Sequence, residues 1–117
     1  MRTRSVTLML LIVATSMLAA CSGGHDEPVD LQLRDLVRFA QRYDGDLVTT
    51  TGVVHTFPNP RHYWIEDQDV NRVEIEPQSA VADHVNQRVR VVGRFHYDRG
   101  QGRRLEVRET TTLGERQ

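Results

Sequence analysis

A phrase that occurs twice, Val48-Thr49-Thr50-Thr51-Gly52-Val53-Val54-His55 and Val89-Arg90-Val91-Val92-Gly93-Arg94-Phe95-His96, constrains the fold of this chain more than any other feature. In each copy small or apolar residues recur at every second position, the period of a strand that buries one face, and a glycine interrupts that face. A glycine on the inner side of a strand leaves room for a tight bend. Two such strands therefore predict a small, strongly coiled sheet rather than a flat one. The inner sets are Val48, Thr50, Gly52 and Val54 in the first copy and Val89, Val91, Gly93 and Phe95 in the second.

The chain begins with a segment that does not belong to that sheet. Arg2 and Arg4 precede an apolar run from Val6 to Ala20, closed by small residues, which is the pattern of a signal peptide over residues 1–20. The run is about fifteen residues long, short of the roughly twenty that cross a bilayer as a helix. Its close, Leu18-Ala19-Ala20-Cys21, resembles the lipobox of bacterial lipoproteins. The resemblance implies that Cys21 receives a diacylglycerol as a thioether, becomes the first residue after cleavage, and is acylated on its new amino group with a chain such as palmitate. Cys21 is the only cysteine, so no intramolecular disulfide can form and the domain is held by packing alone. The implied location is the extracytoplasmic side of the cell membrane or the outer membrane, through a lipid anchor.

Without residues 1–20 the chain has 97 residues, in which 13 arginines face 16 acids for a formal charge of −3. No lysine is present. This balance argues against a generic grip on nucleic acid. The length suits one small domain. Residues 21–29 contain Ser22-Gly23-Gly24-His25-Asp26-Glu27-Pro28, polar and rich in breakers, and read as the lipidated cysteine followed by a flexible tether.

Asp30 has the chemistry to cap a helix whose apolar residues Leu33, Leu36, Val37 and Ala40 share one face, ended by Asp44-Gly45. The first coiled strand covers Leu47 to His55. Phe57-Pro58-Asn59-Pro60 makes a turn, and His62 to Glu66 forms a second strand with Tyr63 and Ile65 inward and His62, Trp64 and Glu66 outward. Arg72 to Glu76 is the third strand, stopped by Pro77. Ser79 opens a short helix through Val85, and Gln87 to Tyr97 is the second coiled strand. After the turn at Asp98-Arg99-Gly100-Gln101-Gly102, Arg104 to Arg108 closes the sheet with Leu105 and Val107 buried. The domain is bounded at 30–109, and 110–117 reads as a flexible tail.

An N-terminal helix, three strands, a short helix and two strands is the plan of a five-stranded OB-fold barrel. The phrases around Gly52 and Gly93, together with Tyr63-Trp64-Ile65-Glu66-Asp67, resemble those of small bacterial OB-fold proteins, both the periplasmic group and the lipoproteins called tRNA-anti-like. That resemblance covers about Gly45 to Glu109 and implies a mainly β binding fold. It leaves the ligand open, because OB-folds serve nucleic acids, sugars, proteins and small molecules alike.

Catalysis has little to build on. The remaining serines, Ser22 and Ser79, lie in the tether and at a helix start, and no nucleophile has an evident base, so the chain reads as a non-enzyme without cofactor. His55, His62 and Glu66 have the chemistry to hold zinc if they converge near the first turn, but histidines at strand ends are commonly polar edge residues. Asp67, Asp69 and Asn71 start like a calcium loop, yet Arg72 and Gln78 stand where glycine and glutamate are needed.

The outward face of strands one to three offers more. Trp64 with Arg61, His62 and Arg72 would make an aromatic and basic patch for a ligand. Glu66, Glu74 and Glu76 share that parity and oppose phosphates. Trp64 packed beneath the helix or a loop is the alternative. The expected role is a membrane-anchored module that presents an OB barrel to an envelope protein or small ligand; a nucleic-acid binder and a metal-dependent envelope enzyme are the competing readings.

Overall fold

The computed structural model describes residues 27–115. The expected signal peptide, the expected lipid acceptor Cys21, most of the expected tether and Arg116-Gln117 lie outside the described residues. In chain order the elements are β1 (Val29–Asp30), α1 (Leu33–Arg38), α2 (Ala40–Tyr43), β2 (Leu47–Phe57), β3 (His62–Glu66), β4 (Arg72–Glu76), two 3₁₀ turns (Gln78–Ala80 and Ala82–His84), β5 (Gln87–Asp98) and β6 (Gly102–Glu115).

The strands close into a ring. β2 pairs antiparallel with β3 along one edge and with β5 along the other, β3 pairs with β4, β4 pairs parallel with β6, and β6 returns antiparallel to β5. This is a five-stranded OB-like barrel, and β1 adds a sixth strand, parallel to β2, through Val29↔Val48 and Asp30↔Thr49. Closure is possible because β2 is long enough to serve two partners at staggered levels, β5 over Leu47–Val53 and β3 over Val53–Phe57.

The strand alternation is realised in the packing. Val48, Val54, Tyr63, Ile65, Val73, Ile75, Val89, Val91, Phe95, Leu105 and Val107 all point into one core, as their period of two requires. Thr50 is also inside, and its hydroxyl has no hydrogen-bond partner among the described residues. Leu33, Leu36 and Ala40 join the same core from the helices. A Cβ on Gly52 would sit 2.8 Å from Leu33 Cδ1, so the first helix enters the barrel where the glycine leaves space.

Several boundaries differ from the sequence reading. The helix does not start on Asp30, which is paired in β1; instead the Asp35 carboxylate accepts the Gln32 backbone N–H at 3.1 Å. It also breaks at Phe39, whose φ of −122° and ψ of 41° are not helical, giving two short pieces that bend around the barrel mouth. The expected helix from Ser79 to Val85 is two 3₁₀ turns, because Val81 between them leaves helical geometry (φ −132°) to bury its side chain completely.

The largest correction is at the C-terminus. β6 does not stop at Arg108, and residues 110–115 are strand rather than tail, paired with Gln87–Val91 of β5. Two bulges, at Arg108 and Leu113, interrupt its alternation, and Thr110 Oγ1 donates to the Ala80 carbonyl at 3.1 Å.

Candidate functional site

The outer face of β2, β3 and β4 brings together most of the residues singled out in the sequence. The turn at 58–61 fixes the register Phe57↔His62 and His55↔Trp64, and the next hairpin sets Trp64↔Glu74 and Glu66↔Arg72. With Tyr63 and Ile65 buried, Trp64 must face out, and it is half-buried by its neighbours rather than by a helix.

Those neighbours form a stack. The His55 ring lies parallel to Trp64 at a centroid distance of 5.8 Å and an interplanar angle of 12°. His62 is tilted against the same indole at 5.1 Å, and the Arg72 guanidinium carbon sits 5.2 Å from its centroid, a cation–π contact. Phe57, 60% exposed, extends the row beside His62 at 6.5 Å.

Glu66 ties the stack together. It accepts the indole N–H of Trp64 at 3.0 Å and faces Arg72 Nη2 at 3.3 Å and His55 Nε2 at 3.8 Å. His62 instead meets Glu74 through Nδ1 at 2.7 Å. The indole, both imidazoles and Arg72 thus each face a carboxylate, Glu66 or Glu74, on the same side of the sheet.

Arg61 stands apart from this cluster. It is exposed in the turn, its carbonyl accepts Gln78 Nε2 at 2.8 Å, and its side chain makes no ion pair or ring contact among the described residues. The zinc candidates are divided, with His55 turned to Glu66 and His62 to Glu74. Among the described residues no group of three or more His, Cys, Asp and Glu side chains is placed to hold a metal. The Asp67 carboxylate is spent inside its own turn, accepting the backbone N–H groups of Asp69 and Asn71 at 2.9 and 3.0 Å and the Asn71 amide at 2.9 Å.

A cleft of about 900 Å³ opens beside the stack, between the Asp30–Leu33 segment and the β3–β4 turn. His55 and Glu66 line it together with Thr51, Gly52, Asp67 and Arg88, so the aromatic row reaches the cleft at its His55 end. Sequence parity alone identified Trp64 and Arg72 as neighbours. It did not show that His55 stacks on the indole, because that contact depends on the length of the intervening turn.

No protein-family model and no curated protein matches the chain. Among solved structures it is similar to a crystal structure from Leishmania major Friedlin described as an aspartyl-tRNA synthetase, with a TM-score of 0.55 and 13% sequence identity. The match covers 84% of this chain and 23% of the other, so the chain spans less than a quarter of that protein's length. At this identity the likeness is one of fold, and it agrees with the OB-like barrel.

Proposed function

We propose that the chain is a lipid-anchored binding module of a bacterial cell envelope, without catalytic activity of its own, that meets its ligand on the outer face of β2–β4. The observation that supports the reading best is the stack of His55 and exposed Arg72 on the half-buried Trp64 ring, braced by Glu66. A rigid aromatic row loses little conformational entropy on binding and offers apolar area with polar ends. Glu66, Glu74 and Glu76 on the same face disfavour a polyphosphate backbone, so the ligand is an uncharged or mixed-charge envelope component, a peptide or a glycan.

Cys21 is the attachment point for the anchor, on the strength of the Leu18-Ala19-Ala20-Cys21 motif. Two or more acyl chains would make that attachment stable, since each buried methylene contributes about 0.8 kcal/mol. Cys21→Ser is expected to leave the protein unprocessed or released from membranes; a variant that matures and fractionates with membranes as before would remove the anchor from the reading.

The binding face has its own test. Trp64 is the only tryptophan, so its emission reports on this surface alone. Titration with soluble peptidoglycan fragments is expected to shift that emission, and titration with a single-stranded oligonucleotide is expected to leave it unchanged. Tight, salt-sensitive oligonucleotide binding would overturn the choice of ligand class in favour of nucleic acid. Stoichiometric zinc binding abolished by His55→Ala and His62→Ala would favour a metal-dependent protein instead.

A further inference from the structure

We infer that the outer face of α1 and α2 is the surface with which the domain lies against the anionic headgroups of the membrane that carries its anchor. The inference rests on the lipid-anchored reading and names a second contact for it, made by the protein itself.

The helices bury Leu33, Leu36 and Ala40 in the barrel. Arg34 and Arg38 of α1 lie on the side away from Leu33 and Leu36, Arg42 of α2 lies away from Ala40, and all three are exposed. None of them forms an ion pair among the described residues. The acids closest in sequence are otherwise engaged: Asp35 accepts the Gln32 N–H, and Asp44 accepts the Tyr97 N–H at 2.9 Å. A chain with an overall excess of acid thus concentrates three unneutralised guanidinium groups on one short stripe.

Phe39 adds an apolar contact to that stripe. The break between α1 and α2 turns its ring outward, 41% exposed, with Arg38 Cζ at 5.6 Å and Arg42 Cζ at 5.9 Å from the ring centroid. An aromatic ring flanked by arginines suits the headgroup region, where the ring meets the acyl boundary and the guanidinium groups meet phosphates.

The stripe also lies close in the chain to the anchor site. Six peptide links separate Cys21 from Glu27, and however they run they span at most about 20 Å. The helices follow directly after β1, so this face is held within reach of the bilayer once Cys21 is acylated. Confinement makes the contact intramolecular in effect, and a modest attraction then suffices. Three arginines near an anionic leaflet give a bias on the order of a hundredfold, falling off within a Debye length.

Labelling of arginines tests this without altering the protein. The full chain, processed in a bacterial host and reconstituted through its own anchor, is treated with phenylglyoxal in vesicles of phosphatidylcholine alone and of phosphatidylcholine with phosphatidylglycerol. Peptide mass spectrometry reads Arg34, Arg38 and Arg42 against Arg108, which is exposed on the barrel wall. The expected result is labelling at the three helix positions slowed at least about fivefold by phosphatidylglycerol and restored by high salt, with Arg108 unaffected. Equal labelling in both vesicles, with lipid mass present on Cys21, overturns the docking face alone. Protection by an added oligonucleotide but not by phosphatidylglycerol also overturns it, in favour of nucleic acid. A Cys21 peptide without lipid overturns the anchor and the docking with it.

Discussion

Gly52 and Gly93 do not carry equal weight in the barrel, and alanine at each position separates them. At Gly93 an added Cβ would overlap the Glu106 carbonyl oxygen and lie 2.9 Å from both Glu106 C and Val107 Cα, all backbone atoms of the paired strand β6. Those atoms are fixed by hydrogen bonding next to the bulge at Arg108, so relief requires β5 and β6 to separate. At Gly52 the nearest atom is Leu33 Cδ1, the end of a side chain that can rotate, with Glu66 N and Ile65 Cβ at 3.0 Å. Overpacking in a core costs about 1 to 3 kcal/mol, and the backbone clash belongs at or above the upper end of that range. Gly93→Ala is thus expected to cost about 3 kcal/mol and Gly52→Ala about 1 kcal/mol. For a domain of this size that corresponds to melting-temperature losses of roughly 15 °C and 5 °C. Thermal unfolding followed by far-UV circular dichroism measures both. A Gly93→Ala protein that melts within two degrees of the parent, or below which Gly52→Ala falls, would refute the close approach of β5 to β6.

Other outcomes follow from single features of the barrel. Thr50→Val removes a buried hydroxyl with no partner and is expected to raise stability by about 1 kcal/mol in urea unfolding; a loss would mean that the hydroxyl is satisfied. Deletion of residues 110–117 strips the pairing from the Gln87–Val91 end of β5 and is expected to lower the unfolding free energy by about 2 kcal/mol or more, whereas an unstructured tail would be lost without effect. Tyr63→Ala empties a core site and is expected to cost about 3 to 5 kcal/mol, while Trp64→Ala, on the outer face, costs about 1 kcal/mol. Equal losses for this pair would place both side chains in the core.

The inner face of the barrel was legible in the sequence because period two and burial report the same thing. Val48, Val54, Tyr63, Ile65, Val73, Ile75, Val89, Val91, Phe95, Leu105 and Val107 could be assigned inward from alternation, and all are buried. What alternation misses is pairing that does not depend on it. Residues 110–115 carry no clean apolar repeat, since the bulges at Arg108 and Leu113 each shift the parity by one, and the strand exists because β5 offers it an edge. Asp30 has the chemistry of a helix cap, but a vacant edge on β2 claimed it first. At the candidate site, Trp64 and Arg72 were legible from parity, whereas the His55 stack depends on the register set by the turn at 58–61. The break at Phe39 was hidden because the apolar spacing of Leu33, Leu36 and Ala40 runs through it undisturbed.

The two-residue strand β1 has an effect out of proportion to its length. Where β2 runs past the end of β3 at Glu66, its edge would present bare N–H and C=O groups, a template on which a strand from another molecule could add. Val29 and Asp30 occupy that template at Val48 and Thr49, and the Leu31 N–H extends the cover to the Thr49 carbonyl at 2.9 Å. A chain shortened to begin at Gln32 would keep its barrel core yet uncover an adhesive seam, so the two residues of β1 guard each copy against polymerising with the next.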